Sequence, residues 1–410
     1  MEPALPDLFG PNANKTWYES YQKLRESAPV CKLPDLNMFI LTRYDDIAKV
    51  IRDSETFSTE ADKHGGEPLL LFPEARAIFE ERGWPKAFPL SQDPPNHRPF
   101  RSLVNHFFTG ARLEQTRSLI ERHVNALIDR FAGEGDIEFV AAFAEPLPAA
   151  VITDLLGLPA EDLPLLKQWS YAWALPFARG LSREQEIWVA EEGVTFQHYL
   201  KSHIEARRAN PRSDIISELA NARLEDRALD DGEIIQILDH LYIGGNETTA
   251  YALASGLWLM LREPNIYEAL RDDRSLVGGF VEEVLRLESP TQGLYRTATR
   301  DTEIRGVAIP KGATLHLRFA AANRDPDVFA DPDTVKLDRP NAMRHMAFSQ
   351  AEHHCPGAGL SRLELRIAFD TLIERLPNLR MTPEKNSFNH MPGFVLRALE
   401  SLYLSFDPAT

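Results

Sequence analysis

The chain has 410 residues, 43% of them hydrophobic, a formal charge of −16 and two cysteines, Cys31 and Cys355. That is ample material for a large core, and the acidic balance argues against nucleic acid and anionic membrane surfaces as principal partners. Two distant cysteines are no disulfide framework and suit a reducing compartment. No apolar stretch approaches the roughly 20 residues that span a bilayer. Residues 1–6 show no basic region leading into an apolar run, so the expected protein is cytoplasmic and unanchored.

Helical spacing runs from Trp17 to Glu26 and ends before Pro29. A short β-like run, Met38–Leu41, follows, and Tyr44–Ile51 is helical again, so the spacing predicts a helix, a small hairpin and a second helix. Residues from about 60 to 92 read as irregular, either a lid over a site or a plain surface loop. Asp93-Pro94-Pro95-Asn96-His97-Arg98-Pro99-Phe100-Arg101 opens a helix with a basic first turn. Further helices are expected over Leu113–Phe131 and Ala142–Leu156. In Leu163–Phe177 the stripe of Trp169, Tyr171, Trp173 and Phe177 reads first as core.

A long helix should begin after Asp230, whose spacing to Glu233 suits a capping box, and stop at Pro264. At 1.5 Å per residue it is a rod of roughly 50 Å. Its middle carries Gly244 and Gly245, each costing up to ~1 kcal/mol against alanine. Glu247, Thr248 and Thr249 add local competition for backbone hydrogen bonds. A helix weakened at its centre implies the close approach of a ligand. His240 lies one turn before Gly244 on roughly the same side, as a contact for a polar substrate group or as a core histidine. Glu283 and Arg286 stand three apart on one later helix face.

Near the end, residues 348–364 crowd Phe, Pro and Gly around Cys355 ahead of a periodic segment. This is a tight loop delivering a cysteine to a helix N-terminus, where the dipole and free N–H groups stabilise a thiolate. A thiolate serves as nucleophile, metal ligand or axial ligand of haem. A cysteine without such company is usually an inert small hydrophobe.

The order Phe348-x4-His353-x-Cys355-x-Gly357-x2-Leu360-x-Arg362-x-Glu364 resembles the cysteine-ligand loop of the cytochrome P450 superfamily. Ser349 and Ala351 stand where that family usually has glycine, and Ser361 where it usually has alanine. Gly244–Thr248, the Asp-Pro-Pro-x-His segment, Glu283-x-x-Arg286 and Asn323–Phe329 add to the resemblance in the family's order. It implies a mainly α fold with a small β-rich region, one triangular domain over 1–410. Haem b would lie between the long helix, about 231–263, and the loop 348–357.

By the same resemblance Cys355 is the iron ligand and Phe348 packs beside it. His97, Arg101, Arg296 and His353 bind the propionates. Gly244 opens the groove, Thr248 serves the dioxygen site and Glu247 links it to solvent protons. His240, Ile243, Gln292, Leu294, Phe394 and Val395 line the substrate pocket, roofed by helices around 163–177 and 183–207. Glu283, Arg286 and Arg339 form a buried ion-pair network that supports the fold.

The implied activity is a haem-thiolate monooxygenase like the soluble bacterial camphor and terpenoid hydroxylases. It would insert one oxygen atom of O2 into a C–H bond of a small or medium apolar substrate, terpenoid, aromatic or steroid-like. A [2Fe–2S] ferredoxin with its NAD(P)H-dependent reductase would supply electrons to a monomer. Pro356, lacking an N–H, should leave the sulfur more electron-rich and lower the iron's potential. A peroxide-driven hydroxylase or a non-enzymatic haem sensor or carrier is the alternative. A zinc site on His353, His354 and Cys355 is disfavoured by the adjacency of its ligands.

Overall fold

A computed structural model describes residues 6, 8, 13–33, 37–66, 68–84, 89–178, 180–224 and 226–408. Apart from Pro6, the stretch read above for a leader lies outside them. The first third mixes short elements with helices α1 (Trp17–Ser27), α2 (Tyr44–Arg52) and α3 (Pro73–Arg82). Then come α4 (Arg98–Phe107), α5 (Gly110–Asp129), α6 (Pro146–Leu156) and α7 (Leu163–Ala174). α8 (Arg183–Ala209) and a short α9 (Ile215–Ala220) lead to the longest helix, α10 (Asp231–Arg262). α11 (Pro264–Asp272), α12 (Val277–Leu287), α13 (Phe319–Ala322) and α14 (Ala358–Arg375) follow.

The β-rich region is small. Its five-stranded sheet runs Val30–Lys32, Met38–Leu41, Thr314–Leu317, Leu294–Ala298, Phe57–Ser58 in spatial order. Met38–Leu41 and Thr314–Leu317 pair in parallel, and the other neighbours are antiparallel. Among the described residues no helix is long and apolar enough to cross a membrane.

The expected irregular stretch 60–92 contains α3. Glu74–Arg82 is a run of good helix formers with Pro73 at its first position and Gly83 beyond its end, which suits a short helix. The flanking Gly and Pro concealed it. α3 buries Ala75 and Phe79 beside Val189, Ala190 and Val194 of α8. The segment is fastened at both ends. Glu186 of α8 accepts the N–H groups of Leu71 (3.0 Å) and Phe72 (2.9 Å). Gln197 accepts from Trp84 N and donates to Trp84 O, both at 2.9 Å.

α10 is the spine. Its capping box is formed: Asp230 Oδ1 accepts Glu233 N (2.8 Å), and Glu233 Oε2 accepts Asp230 N (3.0 Å). Ile234–Ile243 contributes to an apolar cluster with residues of α4, α6, α8 and α9. Ala252–Met260 joins a second cluster with residues of α5, α6, α12 and α14. Gly244 to Thr248 belong to neither cluster. At Gly256 a Cβ would stand 2.4 Å from Phe369 Cζ, so this glycine lets α10 and α14 meet.

Candidate active site

The cysteine loop is a tight hairpin closed by Cys355 N on Phe348 O (2.9 Å), with Ser349 N on Met346 O (2.9 Å) and His354 N on Ala351 O (3.1 Å). It needs left-handed backbone at two places, Ser349 (φ 57°) and Ala351 (φ 55°). These are the two positions that depart from glycine. The fold keeps the glycine conformation without the glycine, at a cost of about 1–2 kcal/mol per residue.

Burial pushes the Cys355 thiol up, while the Gly357 amide, then Arg101 and Arg362, and last the Ala358 amide, favour the thiolate. Pro356 has no N–H, but the amides next in sequence face the sulfur. The Arg362 guanidinium lies 4.7 Å from the Phe348 ring centroid and grips Glu282 at 2.8 and 3.0 Å. Burial works against ionising Glu282, yet hydrogen bonds with His345 and Arg362 hold its carboxyl at about 2. His345 is itself lowered by burial, so the charge that balances Glu282 is that of Arg362. Neither Glu282 nor His345 stood out in the sequence; Glu282 was hidden as the neighbour of Glu283.

A second constellation gathers basic groups whose nearby acids, Asp93 and Glu352, are bonded to other side chains. The rings of His97 and His353 lie 4.8 Å apart, and His97 Nδ1 and His353 Nε2 are buried without partners. Burial, and then Arg296 and His97, press His353 down to about 4. Arg296 is 5% exposed and lowered to about 10 by burial, with Asp93 the opposing charge. Its Nη1 donates only to the Tyr295 carbonyl (2.8 Å), and Asp93 is engaged by Ser58 and Thr59. Arg101 donates to His354 O (2.5 Å) and lines, with Arg98, Arg362, Cys355 and Pro356, an open cleft of about 680 Å³.

The centre of α10 supplies the opposite wall. Gly244 is exposed, and nothing stands within 4 Å of where its Cβ would be. Thr248 Oγ1 donates to Gly244 O (2.9 Å). Glu247 turns toward α7 instead: Oε1 accepts from Ser170 Oγ (2.8 Å) and Oε2 from Tyr251 OH. Asn246 Nδ2 donates to the same Ser170 oxygen (3.3 Å). Ser170 was missed because it sits inside the aromatic stripe, although a polar residue between Trp169 and Tyr171 was the available signal. Thr249 Oγ1 donates to Ser361 Oγ (3.2 Å), which gives the departure from alanine at 361 a partner.

Of the six residues read as pocket lining, His240 and Leu294 keep accessible surface. Ile243 is 3% exposed inside the apolar core. Gln292 is fully buried, its N bonded to Val395 O (2.7 Å) and its Nε2 to Ser289 O (2.7 Å). Phe394 and Val395 are 2% exposed, and the Phe394 carbonyl accepts from Arg318 Nη1 (2.5 Å). The strand-like pairing of 292 with 395 turns these side chains into packing.

Glu283, Arg286 and Arg339 come together as expected of an ion-pair network. Arg286 Nε and Nη2 reach Glu283 at 2.6 and 2.9 Å, and Arg339 Nε reaches it at 2.9 Å. The carboxylate also takes Lys336 N (2.9 Å). The spare guanidinium N–H groups end on the carbonyls of Asn323, Pro332, Thr334, Ala330 and Asp331. A buried ion pair needs this completeness.

A cysteine at a helix N-terminus, with a long helix opened at its centre and unpartnered buried imidazoles nearby, is the arrangement of a haem-thiolate protein. The family model "Cytochrome P450" matches residues 175–404. The chain is 33% identical over 399 residues to the biotin biosynthesis cytochrome P450 of Bacillus subtilis (strain 168), covering 96% of this chain and 97% of that one. It is 30% identical to the steroid C26-monooxygenase of Mycobacterium tuberculosis (strain ATCC 25618 / H37Rv), covering 95% and 94%. The crystal structure of P450BioI in complex with hexadec-9Z-enoic acid ligated acyl carrier protein superposes with a TM-score of 0.87 at 30% identity, over 96% of this chain and 98% of that one. The chain belongs to the cytochrome P450 family and is a P450 monooxygenase.

The residues present fit the haem such enzymes carry. An anionic group with two carboxylates would meet the unpartnered His97 Nδ1 and His353 Nε2 and the buried Arg296, whose side-chain hydrogen bond ends on a carbonyl. The open face of Gly244 leaves room for a flat macrocycle, and the sulfur already faces two amides.

Proposed function

We propose that the group is haem b, held by Cys355 through iron, by His97, His353, Arg296 and Arg101 through its propionates, and flanked by Phe348. The single observation carrying this reading is the pair of buried, unpartnered imidazole nitrogens, His97 Nδ1 and His353 Nε2, beside the Cys355 loop. Once bound, haem would supply the electron-transfer and dioxygen chemistry, with the Cys355 thiolate as its electron-rich iron ligand. The chain's own residues supply the protons. Thr248 Oγ1 is the hydroxyl at the Gly244 groove, and Glu247, one residue before it, is the carboxylate that moves protons inward. Each Glu247 oxygen already accepts a hydroxyl hydrogen. Each oxygen keeps a second lone pair for a proton in transit.

The substrate is a small or medium apolar molecule, for which a steroid-oxidising relative and one that takes a carrier-bound acyl chain are the available guides. Electrons come from a [2Fe–2S] ferredoxin and its reductase. The open cleft beside Cys355, where Arg98 pairs with Glu352, is the place for such a donor to dock. Against a peroxide-driven hydroxylase stands the Glu247–Thr248 pair, which such an enzyme does not need.

The test is the absorption spectrum of the dithionite-reduced protein under carbon monoxide, with a pyridine haemochrome assay of the pigment. A strongly red-shifted Soret band that is lost in Cys355→His, with a haem b haemochrome, is expected. A Soret band typical of histidine-ligated haem would overturn the assignment.

A further inference from the structure

Among the polar side chains on the N-terminal half of α10, Gln236 and His240 share one side and remain outside every contact described so far. Gln236 is 1% exposed, and neither its Oε1 nor its Nε2 has a hydrogen-bond partner. His240, one turn on, leaves its Nδ1 buried and unpartnered. Four-residue spacing puts both on one side of the helix, yet they do not bond each other. Their neighbours Ile235, Ile237, Leu238 and Leu241 are buried apolar residues. Leucine at either position would avoid burying unpaired polar atoms, which is the more costly arrangement.

The surroundings describe a site rather than a packing fault. Trp173 of α7 meets the His240 ring edge-on at 6.3 Å, and its Nε1 bonds Asp239 Oδ2 (3.0 Å), which fixes the indole. Phe177 packs 5.2 Å from Trp173, so an aromatic wall stands beside His240. His240 keeps accessible surface, and Gly244, one turn further, opens onto free space. His240 therefore borders the same groove as Thr248. Burial, and then Arg101, lower His240 to about 4, so the imidazole is neutral near pH 7 and presents one donor and one acceptor. Gln236 presents the same pair. Two neutral groups suit an uncharged partner better than a carboxylate or an amine.

Resting on the reading of the groove as the oxygenation site, we propose that Gln236 and His240 anchor an uncharged hydrogen-bonding group of the substrate. The substrate is then an apolar molecule bearing a hydroxyl, ketone or amide at a distance from the carbon that is oxidised. By helical rise, His240 stands about 6 Å and Gln236 about 12 Å along the axis from Gly244. The anchored group lies at that range from the groove.

The test uses N-alkylimidazoles, whose ring nitrogen ligates haem iron and shifts the Soret band, in graded chain lengths ending in methyl or hydroxyl. At one chain length the hydroxyl should tighten binding by about five- to tenfold, the worth of one or two hydrogen bonds. His240→Leu should abolish that advantage without weakening the methyl-ended probe, and Gln236→Leu should reduce it. Neither variant should lower the melting temperature, since each removes an unpaired buried polar group. Should His240→Leu disturb the helix, His240→Gln keeps a donor and an acceptor and must retain the advantage. A hydroxyl that helps at no chain length, or that helps equally in both leucine variants, overturns the proposal and leaves two sites filled by water. A plain alkylimidazole that produces no Soret shift overturns the haem assignment, and this inference with it.

Discussion

Two buried basic clusters in this molecule differ in how their polar groups are satisfied. Around Glu283 the guanidinium groups of Arg286 and Arg339 end on a carboxylate or on main-chain carbonyls, at 2.6 to 3.2 Å. Around Arg296 there is one carbonyl contact, and two buried imidazole nitrogens have no acceptor. The first cluster is complete within the protein and therefore belongs to the fold. The second is complete only with an anion from outside, and therefore belongs to a ligand. Satisfaction of buried polar groups, more than their identity, separates structure from site.

Mutation should break this contrast in opposite directions. Glu283→Ala strands two buried cations and should cost about 3–5 kcal/mol, read as loss of soluble folded protein or a collapse of the melting temperature. Arg296→Leu removes an already unpaired charge. The haem-free protein should then melt no lower than the parent, while haem affinity falls at least about tenfold, the worth of a charge-assisted hydrogen bond. Equal destabilisation by both would end the distinction.

Glu282 sharpens the same comparison through pH. Its carboxyl titrates at about 2 in the folded chain, against about 4.3 when unfolded. A lowered folded value means that the unfolded state binds the proton first as pH falls. The stabilisation is therefore fully present above about pH 4.3 and is lost on descending toward 2, at most roughly 3 kcal/mol. Denaturant unfolding of Glu282→Gln should show a smaller loss of stability than the parent across that window. An unchanged slope would place the acid lability elsewhere.

The proton path gives a kinetic effect of similar size. Glu247→Gln should slow turnover by about a hundredfold, at the lower end for a general acid–base group, and enlarge the solvent isotope effect. Ser170→Ala frees one carboxylate oxygen only and should alter the isotope effect far less. If Ser170→Ala matches Glu247→Gln, the serine is itself in the relay.

Much of this was legible in the residues. α10, its cap and its weakened centre followed from Asp230, Glu233 and the two glycines, because helix chemistry is local. Glu283, Arg286 and Arg339 were found through order along the chain. α3 was hidden because flanking Gly and Pro read as loop although they stand at its ends. Ile243, Gln292, Phe394 and Val395 were read as pocket but are packed, since a side chain's facing depends on partners far away in sequence. Ser170 and Glu282 escaped for the same reason: each acquires its role from a residue 77 or 80 positions away.

The smallest effect lies where sequence and backbone disagree. Ser349 and Ala351 hold φ of 57° and 55°, a region that costs a residue with a Cβ about 1–2 kcal/mol. Glycine at either place relieves that strain but gives back about 0.5–1 kcal/mol as conformational entropy of the unfolded chain. The net gain should be about 0.5–1 kcal/mol for Ala351→Gly, which is exposed. Ser349→Gly should gain more, because its buried Oγ has no hydrogen-bond partner and its removal costs the folded state nothing. Chemical denaturation of the two variants should rank Ser349→Gly above Ala351→Gly above the parent. A destabilised Ser349→Gly would mean that its hydroxyl is engaged once the cysteine binds its ligand, and repeating the measurement without haem separates that case from an error in the backbone argument.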